Sequence, residues 1–152
     1  DMARWRAMGE RFCRCATIVK ASDEDVRLAW EGDFSLDDAA RYWLDCGAAL
    51  VVITRGAEGA LGFSRAGSVA VAARPAEVRD TVGAGDSFHA ALLAQLSQTG
   101  RLRRDAIAAL ALPEVEELLR YAAAAAAITV SRRGADLPAA VEIDTALAAG
   151  RS

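Results

Sequence analysis

Asp80-Thr81-Val82-Gly83-Ala84-Gly85-Asp86-Ser87-Phe88 is the stretch on which the reading of this chain turns. Its centre sets two glycines ahead of an apolar run, Ser87 to Leu96, in which Phe88, Ala91, Leu92 and Leu96 recur at helical spacing. Glycine takes positive φ without strain and has no Cβ to hold a ligand off, so the backbone can turn tightly into that helix. The first amides of a helix have no acceptor inside it and point outward as donors. With the helix dipole they form an anion site, worth roughly 0.3–1 kcal/mol to a negative group and up to about 2 when partly buried. Asp86 is the odd member, because a carboxylate repels an anion. It is either the N-cap of the helix, a position that Asp favours, or a working group. No Gly-Lys-Ser/Thr follows the glycines, so this is not a Walker A loop.

Working outward, Leu36 to Cys46 carries Leu36, Ala39, Ala40, Trp43 and Leu44 on one helical face, and Gly47 closes it as a C-cap. Ala49 to Thr54 is then an apolar, β-branched run, as in a parallel strand covered on both faces. A helix feeding such a strand is a βαβ signal, and it predicts an α/β sheet. In open sheets of this kind ligands gather at the carboxyl ends of the strands. There stands Thr54-Arg55-Gly56-Ala57-Glu58-Gly59, a glycine turn that alone carries little weight. Residues 59–64 and 68–72 read as a hairpin around Arg65-Ala66-Gly67. Further upstream, Trp5, Met8 and Phe12 give an amphipathic helix over 4–15, with its arginines as the wet face. Residues 16–20 read as a short buried strand. Ser22 with Asp25 three residues on is close to a capping box.

Beyond the central stretch, Gly100 closes one segment and a short helix is predicted over 105–112. Pro113 restarts the pattern at a favoured first-turn position. Glu114 to Ile128 is a long helix whose hexa-alanine run allows close packing on a neighbour. A terminal helix is predicted over 143–149. Neither a repeat nor a linker interrupts the pattern, and one domain is expected.

Bulk properties narrow the partners. The 152 residues can bury a real core. A net charge of −3 gives no electrostatic case for nucleic acid. The longest apolar run, Ala122 to Val130, is too short for a membrane span. The first residues lack the order of a signal peptide, so a cytoplasmic location is expected. Cys13, Cys15 and Cys46 make an odd count, which fits free thiols and not a disulfide framework.

The whole nonapeptide resembles the C-terminal signature of the ribokinase-like (PfkB) carbohydrate kinases. The resemblance implies that Asp86 is the base taking a proton from a sugar hydroxyl. It makes the amides of Gly83, Ala84 and Gly85 the anion hole for the transferred phosphoryl group. Lys20-Ala-Ser-Asp-Glu-Asp25 is similar to a stretch of fructokinase-like members. Related kinases carry Asn-x-x-Glu there, arranging Mg²⁺ and its waters beside ATP. Ser22 stands at the Asn position and Asp25, one methylene shorter, at the Glu position. Thr54 to Gly59 resembles the family's Thr-x-Gly-x-x-Gly turn, which implies that Thr54, Gly56 and Gly59 line the nucleotide phosphates. Thr129 to Ala135 resembles its Thr-x-x-Gly-Ala turn beside adenine, which brings in Gly134. Members with a monovalent-cation site such as K⁺ build it from this turn and the Asp-Thr-Val segment, here Asp80 and Val82. Relatives often carry Asn or His on the preceding helix near adenine, where this chain has Ala122 and Ala123.

The implied fold is a ribokinase-like three-layer α/β/α sandwich, of which residues 1–152 would be only the C-terminal, nucleotide-binding half. The implied activity is transfer of the γ-phosphoryl of ATP to a sugar, most like that of bacterial fructokinases, with Mg²⁺ as cofactor. A nucleoside or other small-alcohol kinase of the same fold, and a non-catalytic nucleotide-binding fragment, are the alternatives. Association with further copies is left open.

Overall fold

The computed structural model of the chain describes residues 2–30 and 35–150. Its elements run α1 (Met2–Cys15), β1 (Ile18–Ser22), α2 (Asp23–Ala29), α3 (Leu36–Cys46) and β2 (Leu50–Thr54). A 3₁₀ turn (Gly56–Glu58) leads to the hairpin β3 (Ala60–Ser64) and β4 (Gly67–Val71). Four helices complete the chain: α4 (Ala84–Gln98), α5 (Arg104–Ala108), α6 (Leu112–Val130) and α7 (Ala140–Ala149). The sheet order is β1-β2-β3-β4. β1 lies parallel to β2 with Ile18 opposite Leu50, and the other two pairings are antiparallel.

Strand β2 shows why the sheet sits between two helical layers. Alternate residues of a strand point to opposite faces, and here both faces are apolar. Leu50 and Val52 enter a core with Phe88, Leu92 and Leu96 of α4 and Val115 and Leu119 of α6. Val51 and Ile53 enter a second core with Cys13 of α1, Val26 of α2 and Ala39, Ala40 and Trp43 of α3. Side chains as buried as Leu50 and Ile53 each contribute about 1.5–3 kcal/mol. Trp30 stacks edge-on against both Tyr42 and Trp43 in the second core. On the other side α6 lies close over β3 because Gly62 has no side chain. A Cβ there would stand 2.8 Å from Leu119 Cδ1 and 2.9 Å from Val115 Cγ1. Ala122 to Ala125 are buried where α6 packs along α4, the close approach that the alanine run predicts.

The expected elements are present with shifted ends. β1 starts two residues later than predicted and runs to Ser22, because Ser22 is itself the N-cap of α2. α3 ends on Gly47 at φ 123. α4 closes in a Schellman pattern: Arg101 N–H reaches the Leu96 carbonyl, Gly100 N–H reaches that of Ser97, and Gly100 has φ 67. The expected amphipathic helix α1 forms with Arg11 and Arg14 exposed, but the expected apolar stripe is not what meets the core. Cys13 is the residue that reaches the core, whereas Met8 and Phe12 are exposed; the Trp5 side chain lies outside the described residues. Cys13, Cys15 and Cys46 are all free thiols.

Candidate active site

The N-terminus of α4 is built differently from the expectation in one respect. Gly83, at φ 81 and ψ −1, is the N-cap, so Ala84, Gly85 and Asp86 form the first turn. Asp86 is therefore not a cap but the third helical residue, exposed at the mouth of the turn. The first helical bond runs from Ser87 N–H to the Gly83 carbonyl at 2.8 Å. Ala84 N–H already donates to the Thr81 carbonyl at 3.3 Å. The amides of Gly85 and Asp86 are then the ones that a helix leaves without an internal acceptor. Of the three expected amide donors, Gly85 keeps that place most clearly.

Both glycines are spoken for. A Cβ on Gly83 would stand 2.7 Å from Ala135 Cβ, so the loop after α6 presses directly on this turn. A Cβ on Gly85 would stand 3.0 Å from Lys20 Nζ. Lys20 thus brings an ammonium from β1 to the mouth of α4, and reasoning on motifs alone passed over it. The signal was present in the composition: Lys20 is the only lysine among the 18 lysines and arginines. A compact, strongly hydrated point charge on a flexible stem does what a planar guanidinium does not.

Lys20 also faces the β1–α2 corner, where its charge helps hold the Asp25 carboxyl below the usual carboxylate range. The larger cause there is Ser22, through its hydroxyl and then its amide. Asp25 Oδ2 accepts from Ser22 N–H at 3.1 Å, and Ser22 Oγ accepts from Asp25 N–H at 3.0 Å. The two residues therefore make a complete capping box. Their structural role is filled, and the exposed Asp25 carboxylate stays charged to low pH.

Thr54 lies beside this corner. It is the register partner of Ser22, and its Oγ1 donates to the Ala21 carbonyl at 3.3 Å. The loop after it contains Gly56 at φ 51, with open space where a side chain would stand. Gly59 is different: it is buried, and a Cβ would lie 2.0 Å from the Val71 carbonyl oxygen. The crossing of β4 accounts for that glycine. Between them, the Arg55 guanidinium binds Glu58 through Nη1 and Nη2 and leaves Nε buried without a partner.

Asp80 ties the central stretch to the loop after α6. Its carboxylate accepts from Val82 N–H at 3.0 Å and from Gly134 N–H at 2.9 Å. Those amides, Val82 first, hold its carboxyl below the usual range. Val82 itself is exposed, and Gly134 has φ 69 with open space around it. Arg79 and Asp80 amides both donate to the Val130 carbonyl. Beneath them Ser87 Oγ and Thr129 Oγ1 share a buried hydrogen bond of 2.7 Å. Lys20, Ser22, Asp25, Thr54, Gly83 to Asp86 and Gly134 thus belong to one connected corner at the carboxyl ends of β1 and β2, while Gly59 packs against the end of β4.

Among the described residues no group of three or more His, Cys, Asp or Glu could hold a metal directly. The donors present suit a cation that brings its own waters, with Asp25 as the outer carboxylate. An ammonium, free helix amides and two open glycine loops suit a polyphosphate.

A profile described as pfkB family carbohydrate kinase matches residues 3–141. A fructokinase of Rhizobium leguminosarum bv. trifolii is 46% identical over 110 residues, which are 72% of this chain and 32% of that protein. The crystal structure of a fructokinase from Xylella fastidiosa with bound ATP superposes with a TM-score of 0.81 at 21% identity, over 94% of this chain and 46% of its own. That of a Vibrio cholerae O395 fructokinase, in a form with fructose, ADP and calcium ion bound, gives 0.67 at 27% identity, over 82% of this chain and 38% of its own. The chain spans about a third of the length of the curated relatives it matches. No described helix is long and apolar enough to cross a membrane.

Proposed function

The chain belongs to the pfkB family of carbohydrate kinases, and on that premise we propose that it carries the nucleotide-binding, base-bearing C-terminal part of an ATP-dependent sugar kinase of fructokinase type. The observation that carries the proposal is the meeting of Lys20 with the N-terminus of α4, where Asp86 and the free amides share one mouth.

The chemistry follows from that arrangement. The sugar hydroxyl gives its proton to the Asp86 carboxylate as its oxygen attacks the γ-phosphorus. The new O–P bond forms while the bond to the β-phosphate oxygen breaks, and ADP leaves. Negative charge spreads over the transferred phosphoryl oxygens, and the Gly85 and Asp86 amides stabilise it together with the α4 dipole. Lys20 adds a full positive charge to the same spot and offsets the repulsion between Asp86 and the phosphates. Thr54 and Gly56 border the phosphate chain. Gly134 borders the adenine side. Asp25 would order the waters of a Mg²⁺ ion bound with ATP, an ion that would supply neutralisation of the phosphate charge. A monovalent cation at the Asp80–Val82 segment would stiffen the loop that Asp80 already clips. The acceptor is assigned from the rhizobial relative, a fructokinase by name.

The test is Asp86→Asn in a chain that also supplies the rest of the fold. Loss of a general base costs roughly 10²–10⁴ in rate. We expect kcat to fall by at least that much while Mg·ATP binding survives, since the repulsion of the anion is relieved. Near-normal turnover in the variant would remove Asp86 from the role.

A further inference from the structure

We infer that Cys13 and Cys46 form a thiol-oxidation site, at which a low-molecular-weight disulfide converts the pair into a reversible staple between α1 and α3. This staple depends on the packing of the two helices, not on the role proposed for Asp86.

The three cysteines all lie in the last turn of a helix. Cys13 and Cys15 close α1, and Cys46 is the last residue of α3. Each helix leads into a parallel strand, α1 into β1 and α3 into β2, so the two run side by side in the same direction. Their ends meet: a Cβ on Gly47 would stand 3.8 Å from the Arg14 carbonyl oxygen. The joint is pinned from α5 as well, since Arg104 donates to the carbonyls of both Ala16 and Gly47.

Side chains three and four residues apart share a helix face. On α1 that sets Glu10 with Cys13, and on α3 it sets Tyr42 with Cys46. The first members are joined, because the Tyr42 hydroxyl donates to the Glu10 carboxylate across the gap. One turn further along, the two cysteines then face each other. Cys13 is buried in the second core, and Cys46 and Tyr42 are half-buried against it. The electrostatics agree with this placement. Burial pushes the Cys13 thiol up, and Cys46 and Glu10 add to it. Burial also pushes the Tyr42 phenol up, followed by its bond to Glu10 and the nearness of Cys46. Cys15 is outside the cluster: two residues on from Cys13, it sits about 200° around the helix and is exposed. Among the described residues nothing completes the two thiols into a metal site, which leaves thiol chemistry.

Exposure sets the order of events. Half-buried Cys46 is reached first, and its thiolate attacks one sulfur of the small disulfide RS–SR. The Cys46–SR bond forms while the S–S bond breaks, and RS⁻ leaves. The Cys13 thiolate, its proton given up to water, then attacks the Cys46 sulfur and expels the second RS⁻. Two protein thiols are oxidised to one disulfide, and one small disulfide is reduced to two thiols. The link closes the chain between residues 13 and 46 into a loop, which constrains the unfolded state. It fastens the joint that Arg104 already bridges, at the end of β1 and β2 opposite the nucleotide corner.

The experiment treats the 152-residue chain with oxidised glutathione, caps the remaining thiols with iodoacetamide and maps the peptides by mass spectrometry. We expect Cys13 joined to Cys46, with Cys15 capped or carrying glutathione. Tm should rise by roughly 5–15 °C, and dithiothreitol should return it to its starting value. Cys15→Ser should keep the link and the shift, whereas Cys46→Ser and Cys13→Ala should each abolish both. Cys13→Ala removes a buried side chain, so Cys46→Ser, at a half-buried position, carries the test if that variant does not fold. A link through Cys15, glutathione that stays on Cys46 while Cys13 remains free, or a joined pair with unchanged or lower Tm would overturn the proposal.

Discussion

Gly83 and Gly85 stand two residues apart and need glycine for unlike reasons. Gly83 holds φ 81 and presses on Ala135, so a side chain there meets both backbone strain and a rigid neighbour. Gly83→Ala should cost about 1–3 kcal/mol from the strained conformation alone, read as a lower urea midpoint at unchanged m-value. Gly85 is an ordinary helical residue, and its nearest obstacle is the movable end of Lys20. Gly85→Ala should leave stability equal or raise it by up to about 1 kcal/mol, yet it displaces the ammonium from the amides and should weaken Mg·ATP binding. Equal effects of both variants on unfolding would sink that distinction. Asp80 gives a pH prediction. Two loop amides depress its folded pKa from the ordinary 3.8, so the unfolded chain takes up the proton first as pH falls. The stabilisation is therefore full above about pH 4 and is lost on descending through the folded value. Asp80→Asn should shrink the fall in urea midpoint between neutral pH and about pH 3. A fall as large as in the parent chain would show that Asp80 carries none of it. Of these residues the motif announced Asp86, Gly83 and Gly85. Lys20 was hidden because its partner is 65 positions away, although its being the only lysine marked it.

Among the elements, β2 was the most legible, since an unbroken apolar run has few other places to go than between two layers. The capping boxes of α2 and α3 and the Gly47 and Gly100 stops were equally local, and local signals transfer directly from residues to structure. What covers the α1 face was not legible, because periodicity shows that a face is apolar, not whether anything packs on it. Arg104 is the opposite case, with no local signal at all. From α5 its Nη1 donates to the Gly47 carbonyl at 2.7 Å and its Nη2 to the Ala16 carbonyl at 3.0 Å. One exposed guanidinium thereby satisfies the carbonyl ends of α3 and α1, joining the two helical layers past the sheet. These partners lie 57 and 88 residues away, beyond any pattern in the sequence. Arg104→Ala should cost about 0.5–1.5 kcal/mol, a fall in Tm of roughly 2–4 °C per kcal/mol for a chain of this size. Calorimetry reads it, and an unchanged Tm would mean that water replaces both bonds at no cost.

At the scale of the molecule, Lys20, Thr54, Gly85 and Gly134 come from far-apart segments, and the fold gathers them at one end of the parallel strands. That convergence could be expected from the order of the motifs, but the clips that enforce it, Asp80 to Gly134 and Ser87 to Thr129, are tertiary facts. The same view yields the last prediction. On the function proposed above, the gathered groups would serve the nucleotide and the phosphoryl group, and none of them is assigned to orient an acceptor hydroxyl. Asp86 then has nothing held against it to deprotonate, and the advantage of positioning, roughly 7–11 kcal/mol, is not realised. The chain alone should bind Mg·ATP weakly, with Kd on the order of 1 mM, and form no sugar phosphate. Its open β1 edge should also make it self-associate as concentration rises. Incubating the purified 152 residues with Mg·ATP and fructose, and following ADP and fructose phosphate together, decides the matter. ADP without sugar phosphate would be water attack at an unfilled acceptor site, consistent with the proposal. Steady fructose phosphate that disappears in Asp86→Asn would show that these residues orient the sugar unaided, and that the acceptor site lies within the corner already described.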